Sequence, residues 1–178
     1  MKTPYPTLLL FCFLTACSQD PLPEPGNSAV DSQDTVKIEA VLNTPSPLDE
    51  VENIAEAKAT AKKGDTLTLQ GKIMGSPHPF VGGRAAFTMG DPEVLISCDL
   101  MEGDTCETPW DNCCDDPKLI QAQTVLVQIV DDQGIVLRAP IKGVQGIAEL
   151  SELRVTGIVE SDPSNGVLIL NATAMDIL

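Results

Sequence analysis

Across residues 66–74 apolar and polar side chains alternate: Leu67, Leu69 and Ile73 fall on one side, Thr66, Thr68, Gln70 and Lys72 on the other. A period of two puts successive side chains on opposite faces of a pleated backbone, so this stretch predicts a half-buried strand. The pattern returns at 153–159, with Leu153, Val155 and Val159 in register, and each run holds an internal glycine, Gly71 or Gly157. Glycine weakens a strand interior unless the backbone must bend or be approached closely. The pair therefore predicts two strands curving at the corners of a small barrel. Three further strand regions follow from similar runs. One spans 85–89, with 94–98 as its continuation beyond the turn at Gly90-Asp91-Pro92. Another spans 124–130, and the DDQG turn at 131–134 folds 135–141 back against it. The last runs over 167–177, after SDPSNG. Ile147, Leu150 and Leu153 are spaced for a short helix before the fourth strand.

Upstream of Gly64 the period is helical. Ser46 reads as an N-cap with Pro47 at the first helical position; Leu48, Val51, Ile54, Ala55 and Lys58 keep one narrow face, and Lys62, Lys63 and Gly64 supply the stop. Residues 47–63 thus predict an N-terminal helix. Residues 17–46 hold prolines and small polar residues, broken only by a short apolar stretch at 36–42, and read as a flexible tether.

Five strand regions, a helix before the fourth and glycine bends in the first and fourth resemble the OB-fold, a five-stranded, partly open barrel. The expected class is mainly β, with the barrel domain at 64–178 and a cysteine insertion at 98–117. The blocks GDTLTLQGKIMGS, PFVGGRAAFTMGDP, TPWDNCCDD, VQIVDDQG and LRVTGIVESDPSNGVLILNATAMDI resemble an uncharacterised group of bacterial lipoproteins with such a barrel and a cysteine-bearing insertion. The proline-tryptophan-aspartate followed by two cysteines is the most specific of these elements. The resemblance implies a fold and a location, and no activity.

The amino terminus points to the same location. Residues 1–16 carry Lys2, an apolar run at 8–14 and small residues before Cys17, the layout of a secretory signal peptide too short to remain as a spanning helix. Leu14-Thr15-Ala16-Cys17 resembles the lipobox of bacterial lipoproteins, which implies cleavage before Cys17 and acylation of its thiol. Several acyl chains make a stable anchor, at about 0.8 kcal/mol per buried methylene. The expected protein is therefore bound to a bacterial membrane through its N-terminal lipid, facing the periplasm or the exterior, with a protein or envelope component as partner.

Charge and composition narrow the function further. With 11 basic against 26 acidic side chains and a net charge of −15, the field repels polyphosphates and attracts cations and basic partners. Beyond the leader the aromatic residues are Phe80, Phe87 and Trp110, too few to make stacking platforms, so nucleic-acid binding is excluded. No nucleophile elbow, HExxH helix, phosphate-binding glycine loop or EF-hand loop occurs, and Gly82-Gly83 precede a strand rather than a helix. The expectation is a non-enzymatic binding module without a cofactor. His78, in Ser76-Pro77-His78-Pro79, reads as a solvated loop residue, and Asn171-Ala172-Thr173 as a chance match to a glycosylation acceptor.

Cys98, Cys106, Cys113 and Cys114 remain once Cys12 leaves with the leader and Cys17 is acylated. In an oxidising compartment an even set in a polar insertion predicts two structural disulfides. Adjacent cysteines rarely bridge one another, so Cys98 and Cys106 are each expected to pair with one of Cys113 and Cys114, their pairing left open. Trp110 is expected to cover the bridges, and Trp110 with Asp111 to form a binding loop. The alternative is a metal or thiol-redox site built from Cys98, Cys106, Cys113, Cys114 and His78. The spacing does not match the paired C-x-x-C knuckles of structural zinc, and the surrounding acids disfavour a reactive thiolate.

Overall fold

The computed structural model describes residues 32–48, 51–103, 105–161, 163 and 166–178. The leader, Cys17 and the first part of the tether lie outside the described residues. Six strands form one sheet: β1 (Val51–Glu52), β2 (Thr66–Lys72), β3 (Ala86–Gly90), β4 (Thr124–Gln128), β5 (Glu152–Val159) and β6 (Ile169–Ile177). Their order is β1-β2-β3-β4-β6-β5, and β2 also pairs with β5, so the five long strands close on themselves. All pairings within this ring are antiparallel except β4 with β6. The architecture is an OB-type barrel. Its seam is narrow where β2 meets β3, at Lys72 and Gly90 alone, and β1 runs parallel to β2 beside Thr68 and Leu69.

Alternation places Leu67, Leu69, Phe87, Met89, Val125, Val127, Leu153, Val155, Leu170 and Met175 in a single buried cluster. Phe87 is the bulkiest side chain within it. On β2 and β5 the hydroxyls of Thr68 and Thr156 lie 2.9 Å apart across the pair, a buried polar contact that is satisfied internally. Both predicted glycine bends are close approaches. A Cβ on Gly71 would stand 2.7 Å from the Gly90 carbonyl oxygen, and one on Gly157 would stand 2.5 Å from that of Asn171. The β5–β6 register shifts between Thr156 and Gly157, so the second glycine also marks a bulge.

Helix α1 (Ser32–Leu42) stands inside the segment read as a tether. Ile38 and Leu42, one turn apart, join the barrel's buried cluster, and Val41 packs against it. The correction has a simple cause: two buried side chains at i and i+4 suffice to dock a helix whose other positions are polar. Past its end, Met175 N–H donates to the Thr44 carbonyl at 3.2 Å, and Ser46 N–H donates to Asp176 Oδ2 at 2.9 Å. Ser46 is therefore buried against β6 and does not begin a helix.

The N-terminal helix predicted over 47–63 is the shorter α2 (Ile54–Thr60), which begins only after β1. Its cap is Asn53, whose Oδ1 accepts from the N–H groups of Ala55 (2.9 Å) and Glu56 (3.4 Å) while Nδ2 donates to Asp91 Oδ2 at 2.7 Å. One side chain thus satisfies orphan donors of the helix and a buried carboxylate of the β3 turn. Asn53→Ala is expected to cost about 2 kcal/mol in urea unfolding, the sum of a lost cap and a lost charged hydrogen bond.

Two other expectations change in detail. Residues 94–98 leave the sheet: the Asp91 carbonyl accepts from the N–H groups of Val94 (3.3 Å) and Leu95 (2.9 Å), turning the chain away. The helix expected at 147–153 is a 3-10 turn at Val144–Gly146, bounded by positive-φ Gly143 and Gly146. The fold-back after DDQG is present as a bridge between Val130 and Val136, with Leu137 N–H bonded to the Ile129 carbonyl at 3.0 Å. Among the described residues no helix is long and apolar enough to cross a membrane.

Candidate functional site

The connection from β3 to β4 carries the cysteine insertion and ends in α3 (Pro117–Ala122), which Asp116 caps through the N–H groups of Lys118 (2.8 Å) and Leu119 (3.4 Å). Few apolar side chains hold this insertion, so polar contacts fix its path. Asn112, buried and in the left-handed region at φ 56°, donates through Nδ2 to the Ile96 carbonyl and to Asp115 Oδ2, each at 3.1 Å. The Pro109 carbonyl accepts from Cys98 N–H at 2.8 Å, which closes the 98–109 excursion at its base.

Trp110 is tied to the loop that follows β2. Its Nε1–H donates to the Pro77 carbonyl at 3.2 Å, and its own carbonyl accepts from Gly75 N–H at 2.8 Å, so it fastens the insertion to the connection that follows β2. These two bonds make Trp110 a clamp between the insertion and that loop.

Asp111 is the hub of the sulfur cluster. Its Oδ2 accepts from the Thr108 hydroxyl at 2.8 Å and its Oδ1 from Cys113 N–H at 2.9 Å. These bonds hold its carboxyl below the usual carboxylate range; the Cys113 N–H is the main cause. Cys98 Sγ, Cys106 Sγ and an Asp111 carboxylate oxygen all lie within 4.8 Å of one another. Cys98 is buried, while Cys106 and Asp111 are half-buried. A cavity of about 200 Å³ adjoins them, lined by Cys98, Asp99, Cys106 and Pro109.

The cross-pairing expected from the sequence is not the arrangement found. Cys98 lies beside Cys106, and Cys113 and Cys114 are exposed free thiols in contact with each other. His78 is exposed on its loop and is not part of the sulfur–carboxylate group. The Cys113 thiol is pushed up to about 12, first by its hydrogen bond to the Asp111 carboxylate and then by Cys114. Since the thiolate is the nucleophile, Cys113 should resist iodoacetamide at about pH 8. Asp111→Asn should bring its alkylation to lower pH, and a rate on the wild type equal to that of an unperturbed thiol would contradict this geometry.

A second feature lies on the outer face of β3 and β4. Lys58, Ala59, Lys118, Gln121 and Gly166 line a cavity of about 350 Å³, which continues through Lys58, Gln121 and Gly166 into one of about 270 Å³ over Thr88 and Leu126. Lys58 Nζ donates to the carbonyls of Gln121 and, at 2.8 Å, Thr124. Burial lowers its pKa. Its ammonium is thus held by carbonyls of α3 and of the first residue of β4, and the described lining residues include no aromatic ring on which a base would stack. Sequence reasoning missed this groove, because it is assembled from α2, α3 and the approach to β6.

No family model matches this chain, and no curated protein matches it. Among solved structures it is similar to an aspartyl tRNA synthetase from Entamoeba histolytica, with a TM-score of 0.38 and 11% identity over 76% of this chain. The match spans 27% of that enzyme's length.

Proposed function

We propose that this chain is a lipoprotein of the bacterial cell envelope, anchored through acylated Cys17, whose OB-type barrel is a non-enzymatic module that binds a protein or another envelope component. The observation that carries the binding part is the groove running from α2 and α3 onto the outer face of β3 and β4. It presents the side chains of Lys58 and Lys118 beside backbone, amide, hydroxyl and aliphatic surface. The anchor rests on the lipobox-like ending and on the resemblance to barrel-bearing lipoproteins.

Two measurements test it. Mass spectrometry of the protein from its native host should show a chain beginning at an acylated Cys17; an intact leader or an unmodified amino terminus would remove the anchor. Ala59→Arg fills the groove from the exposed side of α2 at a position where arginine is a good helix former. A partner cross-linked to the wild type in solubilised envelopes should be lost from this variant, and an unchanged cross-link would move the binding surface off the groove.

A further inference from the structure

The sulfur–carboxylate group beside the 98–109 excursion has the chemistry and the spacing of a cation site. We propose that Cys98 Sγ, Cys106 Sγ and the Asp111 carboxylate bind one zinc ion, with the fourth position open to the adjoining cavity. The site shares no residue with the groove, and it requires Cys98 and Cys106 to stay reduced in the compartment where the chain resides.

Donor spacing is the first argument. Tetrahedral zinc, with zinc–sulfur bonds near 2.3 Å and zinc–oxygen bonds near 2.0–2.2 Å, needs donors roughly 3.5–4 Å apart. The three donors here already lie within 4.8 Å of one another, so side-chain adjustments of less than about 1 Å close the shell.

Preorganisation is the second. The Thr108 hydroxyl donates to Asp111 Oδ2 at 2.8 Å and lies 3.9 Å from Cys106 Sγ, so one residue touches two of the three donors. Cys113 N–H holds Asp111 Oδ1 at 2.9 Å, and the Pro109 carbonyl fixes the Cys98 backbone. Each carboxylate oxygen accepts up to about two bonds, so a lone pair remains for the metal. Such outer contacts orient ligands and are worth about 10–100-fold in affinity.

Donor type selects the metal. Two sulfurs disfavour calcium and magnesium, which take oxygen shells, while one carboxylate disfavours cuprous copper relative to an all-sulfur site. On binding, both S–H bonds break, two zinc–sulfur bonds form, and the two protons pass to solvent. The acidic field of the chain raises the local concentration of any divalent cation.

The test uses the full chain, reduced and free of chelator, titrated with zinc against a chromophoric chelator and separately with cobalt(II), whose absorption reports thiolate ligation. The expected result is about one zinc per chain and a sulfur-to-cobalt charge-transfer band. Cys106→Ser should weaken zinc at least about a hundredfold, and Thr108→Val about tenfold, both with unchanged far-UV circular dichroism. Cys114→Ser, an exposed position outside the donor set, should bind like the wild type. A folded chain that takes no zinc overturns the proposal, as does equal affinity in Cys106→Ser, or a Cys98–Cys106 disulfide in protein recovered from the native envelope.

Discussion

Gly157→Ala is expected to destabilise the barrel by about 3 kcal/mol, although alanine normally stabilises a position it can occupy by roughly 0.4–1 kcal/mol. The sign reverses because the added methyl has no room. It would stand 2.5 Å from the Asn171 carbonyl oxygen, 2.9 Å from the Asn171 carbonyl carbon and 2.8 Å from Leu170 Cγ. Two of these neighbours are backbone atoms of β6, the strand to which β5 is bonded, so relief requires the two strands to part where their register shifts. Urea unfolding of Gly157→Ala beside Gly82→Ala measures the effect. Gly82 has nothing within 4 Å of an added Cβ, so its substitution should be neutral or mildly stabilising. Equal midpoints for the two variants would show that the approach at Gly157 yields without cost.

That the barrel is legible in the sequence, and its flanks are not, follows from how each is held. Strands β2 and β5 bury one full face, so Leu67, Leu69, Leu153 and Val155 alternate with polar neighbours, and close packing requires glycine at 71 and 157. The signal and the cause coincide. At the N-terminal flank they do not. Ser46-Pro47 has the composition of a helix start, but Ser46 is fixed by long-range bonds to Asp176 and Arg154, and no local rule foresees those. Asn53, the cap that is used, was available as a signal. It stands one residue before the apolar position Ile54 and was masked by the earlier Ser-Pro pair.

The insertion divides the same way. Its sulfur and its acids are evident from composition, but the expected pairing followed only from setting aside a bridge between the adjacent Cys113 and Cys114, which carries no information about the loop's path. Its actual path is set by the Cys98–Pro109 backbone bond, the left-handed turn at Asn112 and the Trp110 clamp on Pro77 and Gly75. These bring Cys106 back to Cys98 and turn Cys113 and Cys114 outward. Thr108, Asn112 and Asn53 are ordinary polar residues in the sequence, and only the fold gives each its particular task.

Ile38→Asp is expected to lower stability by about 4 kcal/mol, since truncating a buried isoleucine alone costs about 2–5 kcal/mol and an unpaired carboxylate cannot stay in its place. Ile38 has no solvent exposure and shares a cluster with Leu42, Ile141, Ile147 and Met175. The variant must expel α1 from the barrel, and the contacts that follow the helix go with it: Thr44 with Met175, Ser46 with Asp176 and Asn43 with Gln145. Val36→Asp is the matched control on the same helix, because Val36 is 63% exposed and its substitution should change stability by less than about 0.5 kcal/mol. A tether would respond alike to both, as neither residue would touch the folded domain. A large gap between the two urea midpoints therefore places α1 inside the folded unit, while coincident midpoints would return residues 32–46 to an undocked segment.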